Sequence, residues 1–104
     1  MKVLVDSKNF TVTQALRNFV VVQAQKFDRV SKRVLAVRVH LESNQKKNND
    51  PMSNEVTYQI EVPGDDVIVK KRGSEMYKTI ATASNIAVRH LRKQFEKRQT
   101  MKRK

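Results

Sequence analysis

Side chains able to do chemistry are few in this 104-residue chain, and they stand apart from one another. His40 sits on the polar side of an alternating stretch and His90 beside a run of arginines, neither within a recognisable set of ligands. Cysteine is absent, which excludes both a thiolate metal site and a disulfide framework. Asp65-Asp66 resembles a general acid–base pair only superficially, because it follows Pro63-Gly64, where aspartate is a good turn residue. The only glycines, Gly64 and Gly73, lie nine residues apart, so no glycine-rich phosphate cradle can be built. Ser74 and Tyr77 fall at an expected helix start, where capping and packing account for them. The residues therefore predict no enzyme, no metal and no cofactor.

What remains is positive charge. Lys and Arg number 22 against 10 Asp and Glu, a formal net charge of +12. That excess repels itself in a compact fold, and a polyanionic partner relieves it. Six of the ten acids lie between Glu42 and Asp66, whereas Arg89–Lys104 holds eight basic residues and one acid, Glu96. Lys78, Arg89, Arg92 and Lys93 share one face of an expected helix, and Lys97 and Arg98 continue the charge. Pairing within the helix does not explain the run from Arg89 onward, since Glu96 is the only acid nearby. Arg17, Lys26, Arg29, Lys32 and Arg33 make a second cluster on or just after an earlier helix. Side by side, two such helices line a groove suited to an RNA backbone, whose recognition rests on shape and phosphate contacts. Most of the six aromatic residues fall in the core by periodicity, which argues against a single-strand stacking platform.

The elements that must carry these side chains are readable from periodicity. Lys2–Asp6 alternates as a short strand. Thr13 is a suitable N-cap for a helix to about Arg29 with Leu16, Val20 and Phe27 on one face, Phe19 and Gln23 at its margin. Val21 and Val22 point elsewhere and are read as a half-covered flank rather than a docking patch. Val34–Glu42 and Asn54–Val62 alternate with period two, the latter presenting Val56, Tyr58, Ile60 and Val62 together. Between them Ser43–Ser53 is polar and contains Pro51, an expected mobile loop. Pro63-Gly64 suits a type II turn before a strand from Val67 to about Arg72.

The second helix is expected from Glu75 to about Arg98, with Ser74 as N-cap and a stripe of Met76, Ile80, Ala83, Ala87 and Leu91. Ser84 also falls within that stripe, where its hydroxyl can bond back to the preceding turn. The prediction is an α+β domain of order β-α-β-β-β-α. Its four-stranded sheet, one face apolar, requires both helices on the same side. Residues 1–98 are expected to form one domain, and 99–104 a basic tail without fixed structure. No 18-residue apolar run and no signal-like N-terminus are present, so no membrane is expected and the predicted location is cytoplasmic.

Val12-Thr13-Gln14-Ala15-Leu16-Arg17, Lys26-Phe27-Asp28, Glu75-Met76-Tyr77-Lys78-Thr79-Ile80 and Arg89-His90-Leu91-Arg92-Lys93, in that order and spacing, resemble the ribosome hibernation-promoting factor and ribosome-associated inhibitor family. The likeness runs over nearly the whole chain, with differences at Glu75, Ala81 and Ile86. It implies a fold similar to the double-stranded RNA-binding domain. It also implies a stress-phase protein that sits in the mRNA and A- and P-site channel of the small ribosomal subunit, contacting its rRNA. By position it carries that contact to Arg17, Lys26, Arg29, Arg89 and Lys93; Arg92 is supported by charge and face alone. The length resembles the family's short form, expected as a monomer off the ribosome, and the family admits a second hibernation factor as partner.

Overall fold

The computed structural model describes residues 1–43 and 53–102, with side chains described through Glu96. Residues 44–52, most of the loop expected over Ser43–Ser53, and the last two residues of the expected tail lie outside that range. The order is β1 (Lys2–Lys8), α1 (Gln14–Val30), β2 (Ala36–Ser43), β3 (Asn54–Glu61), β4 (Val67–Gly73) and α2 (Met76–Lys102). This is the expected α+β arrangement.

The four strands form one mixed sheet in the order β1-β2-β3-β4. β1 joins the edge parallel to β2, with Val5 opposite Val39, and β2, β3 and β4 make the antiparallel meander. Alternation settles which face is covered. Val37, Val39, Leu41, Val56, Tyr58, Ile60 and Val69 are buried beneath Leu16, Val20, Ala24 and Phe27 of α1 and Ile80, Ala83, Ala87 and Leu91 of α2. Ala24 belongs to this core although the apolar pattern of α1 did not single it out.

Thr13 caps α1 as expected, its Oγ1 accepting from Leu16 N–H at 3.1 Å. At α2 the expectation of Ser74 as cap is corrected. Glu75 is the capping residue: its carboxylate accepts from Tyr77 N–H at 3.3 Å and Lys78 N–H at 2.7 Å, while its carbonyl accepts from Thr79 N–H. A carboxylate satisfies two donors at once and also meets the positive end of the helix dipole. Gly73 precedes this cap because a Cβ there would collide with Thr79 Oγ1, which is itself bonded to the Glu75 carbonyl.

The second correction concerns the end of α2. The helix continues through Gln99–Lys102 instead of stopping near Arg98. No glycine or proline interrupts Met76–Lys102, and basic residues at a helix C-terminus are favoured by the dipole.

One polar atom in the core lacks a partner among the described residues. Tyr58 Oη is fully buried, its ring edge-on to Phe27 with centroids 5.5 Å apart, and burial pushes the phenol's pKa strongly up. An unsatisfied buried hydroxyl costs about 1–3 kcal/mol. Tyr58→Phe is therefore expected to raise the urea midpoint without altering the slope of the transition. A lower midpoint would show that the hydroxyl has a partner after all.

Candidate nucleic-acid interface

The helices lie side by side, and polar and aromatic pairs mark the seam between them. Phe19 meets Tyr77 edge-on with ring centroids 5.0 Å apart. Ser84 Oγ donates to the Ala81 carbonyl at 2.8 Å, the back-bond expected of it, and lies 2.7 Å from Gln23 Oε1 across the seam. Lys26 Nζ donates to Asn85 Oδ1 at 3.3 Å. Residue numbers rise together on both helices along these pairs, so α1 and α2 run in the same direction.

This seam sorts the predicted cations. At 100° per residue, Lys78, Arg89 and Arg92 fall within about 60° of arc centred near Asn85, on the solvent side of α2. Lys93 lies on the adjoining flank. Across the seam Lys26 faces α2, and Arg29, three residues on, is exposed at the same end of α1. Arg17 does not join them. It is nine residues from Lys26, half a turn out of phase, and projects from the flank of α1 opposite to α2. Lys32 follows α1 and is held back by Asp28 at 2.8 Å, whose carboxyl it keeps below the usual range. Arg33 is exposed in the connection to β2. Lys97 and Arg98 lie on the α2 backbone, with side chains beyond those described.

Charge is compensated very differently on the two surfaces. On the open face of the sheet, Arg38 Nε meets Glu61 at 2.7 Å, and Glu55 accepts from Arg72 at 2.7 Å with Lys70 at 3.6 Å. Arg72, helped by Lys70, holds the Glu55 carboxyl below the usual carboxylate range. His40 there sits between two carboxylates, Nδ1 donating to Asp6 and Nε2 to Glu42, both at 2.9 Å. By contrast Arg17, Lys26, Arg29, Lys78, Arg89, Arg92 and Lys93 make no ion pair with any described residue. Most charges on the open face of the sheet are thus paired, with Lys2 and Lys8 of β1 making no ion pair among the described residues, whereas of the candidate cations with described side chains on or just after the helices only Lys32 is paired.

His40 gives a pH dependence with a definite sign. Both ring nitrogens donate to carboxylates, Glu42 first and Asp6 next, which requires the imidazolium and raises its pKa above the ordinary 6.5. A folded state that holds a proton more tightly than the unfolded chain loses stability as pH rises. The contribution is complete below about pH 6.5 and disappears as pH passes through the raised value. Thermal melts are expected to fall over that window, and His40→Ala to flatten the profile. An equal slope in the variant would sink the assignment.

Sequence reasoning missed Asn85, Gln23 as a cross-helix partner and Tyr77 as an exposed ring. Asn85 was the easiest to find, lying seven residues from both Lys78 and Arg92 on the cationic stripe. The remaining candidates for chemistry stay apart: Gln59 Nε2 donates to Asp66 at 3.0 Å, Gln94 Nε2 donates to the Asp65 carbonyl at 2.6 Å, and His90 is exposed on α2. Among the described residues no group of histidine and carboxylates has the arrangement of a metal site, and no helix is long and apolar enough to cross a membrane.

The fold is an α+β domain in which most of the described ion pairs lie on the open sheet face, and most cations of the two covering helices pair with no described residue. Residues 3–99 match the family described as Sigma 54 modulation protein / S30EA ribosomal protein, and the chain belongs to that family. A ribosome hibernation promotion factor from Deinococcus radiodurans is 31% identical over 86 residues, 83% of this chain but 44% of that protein. The chain thus spans less than half the length of this relative. The fold is similar to that of the Thermus thermophilus Protein Y N-terminal domain, with a TM-score of 0.75 at 21% identity, covering 89% of this chain and 98% of that one. A ribosomal subunit interface protein from Coxiella burnetii superposes with a TM-score of 0.67 at 16% identity, covering 96% and 99% of the two chains.

Proposed function

We propose that this protein is a ribosome hibernation factor that holds rRNA of the small subunit against the outward face of α1 and α2, idling the ribosome by steric occlusion. The observation that supports the reading is the set of cations Lys26, Arg29, Lys78, Arg89 and Arg92 on the outward face of the two helices, none in an ion pair with a described residue, while most charges on the opposite face are paired. Phosphates accept this charge and release their condensed counterions, which is the main source of affinity for a structured RNA. Membership of the family and the name of the Deinococcus relative direct the choice of RNA to the ribosome. The occupied place is the channel for mRNA and the A- and P-site tRNAs, and the occasion is stress or stationary phase, in the cytoplasm. Arg17, Lys32 and Arg33 are secondary contacts, reaching RNA only where it wraps beyond the seam.

Sedimentation of stationary-phase lysate tests this directly. The protein is expected in the small-subunit and whole-ribosome fractions, and tRNA is expected to displace it. Absence from both fractions ends the proposal. Displacement by duplex RNA as readily as by tRNA would leave a general duplex-binding module, for which a net charge of +12 would equally serve.

A further inference from the structure

Six aromatic residues occur in the chain, and Tyr77 alone is exposed, at 40%. Phe27 and Tyr58 are buried, while Phe10, Phe19 and Phe95 pack against the core from its margin. Tyr77 stands on the helix seam directly before Lys78, about 12 Å along α2 from Asn85 and the Lys26 ammonium that meets it. Phe19 meets it from α1 in an edge-to-face arrangement at 63° with centroids 5.0 Å apart, a contact that helps fix the ring. Its hydroxyl makes no hydrogen bond with a described residue. An aromatic ring that is exposed, braced and set beside unpaired cations combines the two features by which proteins hold unpaired nucleotides: a π-face and a charged track for the backbone.

We infer that Tyr77, braced by Phe19, is a stacking platform for one unpaired nucleobase of the bound RNA, next to the phosphate held by Lys78. The inference deepens the proposed RNA-binding role and rests on it. It narrows the target from a duplex backbone to a backbone with a splayed base at one end of the seam. A fully paired helix keeps its bases stacked inside and offers Tyr77 nothing. The recognition is sequence-tolerant, because every base has a π-face.

Small ribosomal subunits are the probe. Tyr77→Leu keeps an apolar side chain but removes the ring, and it is expected to weaken binding roughly 5-fold or more, while Tyr77→Phe binds like wild type. The slope of log affinity against log salt stays unchanged in both, because stacking neutralises no phosphate. The chain has no tryptophan, so Tyr77→Trp introduces a single reporter. Its emission is expected to be quenched at saturation, and base-specific chemical probing to show an rRNA base protected by wild type and not by Tyr77→Leu. Wild-type affinity in Tyr77→Leu, or Trp emission and base reactivity unaltered at saturation, overturns the stacking while leaving ribosome binding in place. Should Tyr77→Leu fail to fold, the Trp reporter and the wild-type footprint decide alone. Failure of the wild-type protein to bind small subunits at all removes the RNA-binding reading, and this inference with it.

Discussion

Replacing Arg89, Arg92 and Lys93 together by alanine is expected to weaken binding to small ribosomal subunits roughly 100-fold or more at 0.1 M salt. Each phosphate that is no longer neutralised should make the slope of log affinity against log salt shallower by about 0.7–0.9. Removing three cations therefore changes it by about 2–3, which at 0.1 M corresponds to two or more powers of ten in affinity. All three side chains are exposed and unpaired with any described residue, so their removal leaves no buried partner stranded. The fold should be unharmed, or slightly stabilised, because like charges along one helix repel. Titrations across a salt series at fixed magnesium, with a thermal melt of the same variant, separate the two effects. A slope equal to wild type would show that these side chains do not reach phosphate. Arg17→Ala, which takes charge from the flank that α2 does not share, is expected to cost less than any one of the three.

Leu91→Ala is expected to act on stability and leave the charged surface as it is. Leu91 is fully buried, at the end of the stripe formed by Ile80, Ala83 and Ala87. Truncating a buried leucine forfeits its transfer free energy and leaves a cavity, at a cost of about 2–5 kcal/mol. In a domain of this size that lowers Tm by about 10 °C or more. Leu91 lies between Arg89 and Arg92, so the same stretch of α2 contains both tests, on opposite faces. A melt indistinguishable from wild type would mean that α2 is rotated about its axis, and the cationic stripe with it. The two predictions thus check one helix phase through independent measurements.

How much of the fold is legible in the sequence follows from the range of the forces involved. The alternation of Val37, Val39 and Leu41 and of Val56, Tyr58, Ile60 and Val62 declares two strands and their buried face, because a strand's side chains alternate regardless of what it pairs with. Thr13 announces the start of α1 for an equally local reason. The start of α2 differs by one residue from expectation, because serine is the commoner cap and nothing in Ser74-Glu75 shows that the glutamate will turn back onto Tyr77 and Lys78. The end of α2 lies later than expected, because a run of charge looks like a tail when no stop signal marks where the helix ceases.

For the surface the division is sharper. Composition and periodicity alone determined that the protein carries a large positive excess, that the excess concentrates on two helices, and that both helices cover one side of a four-stranded sheet. These are sums and local repeats, and they need no knowledge of what touches what. Only the tertiary structure decided which cations are neutralised, because Arg38 and Glu61, or Glu55 and Arg72, come together across strands that are distant in the chain. It also decided which flank of α1 meets α2, through Phe19 against Tyr77 and Lys26 against Asn85, and so left Arg17 outside a group it shares by charge. A charge is fixed by its residue type, but its effect depends on its neighbours, and most of those neighbours are brought near by folding.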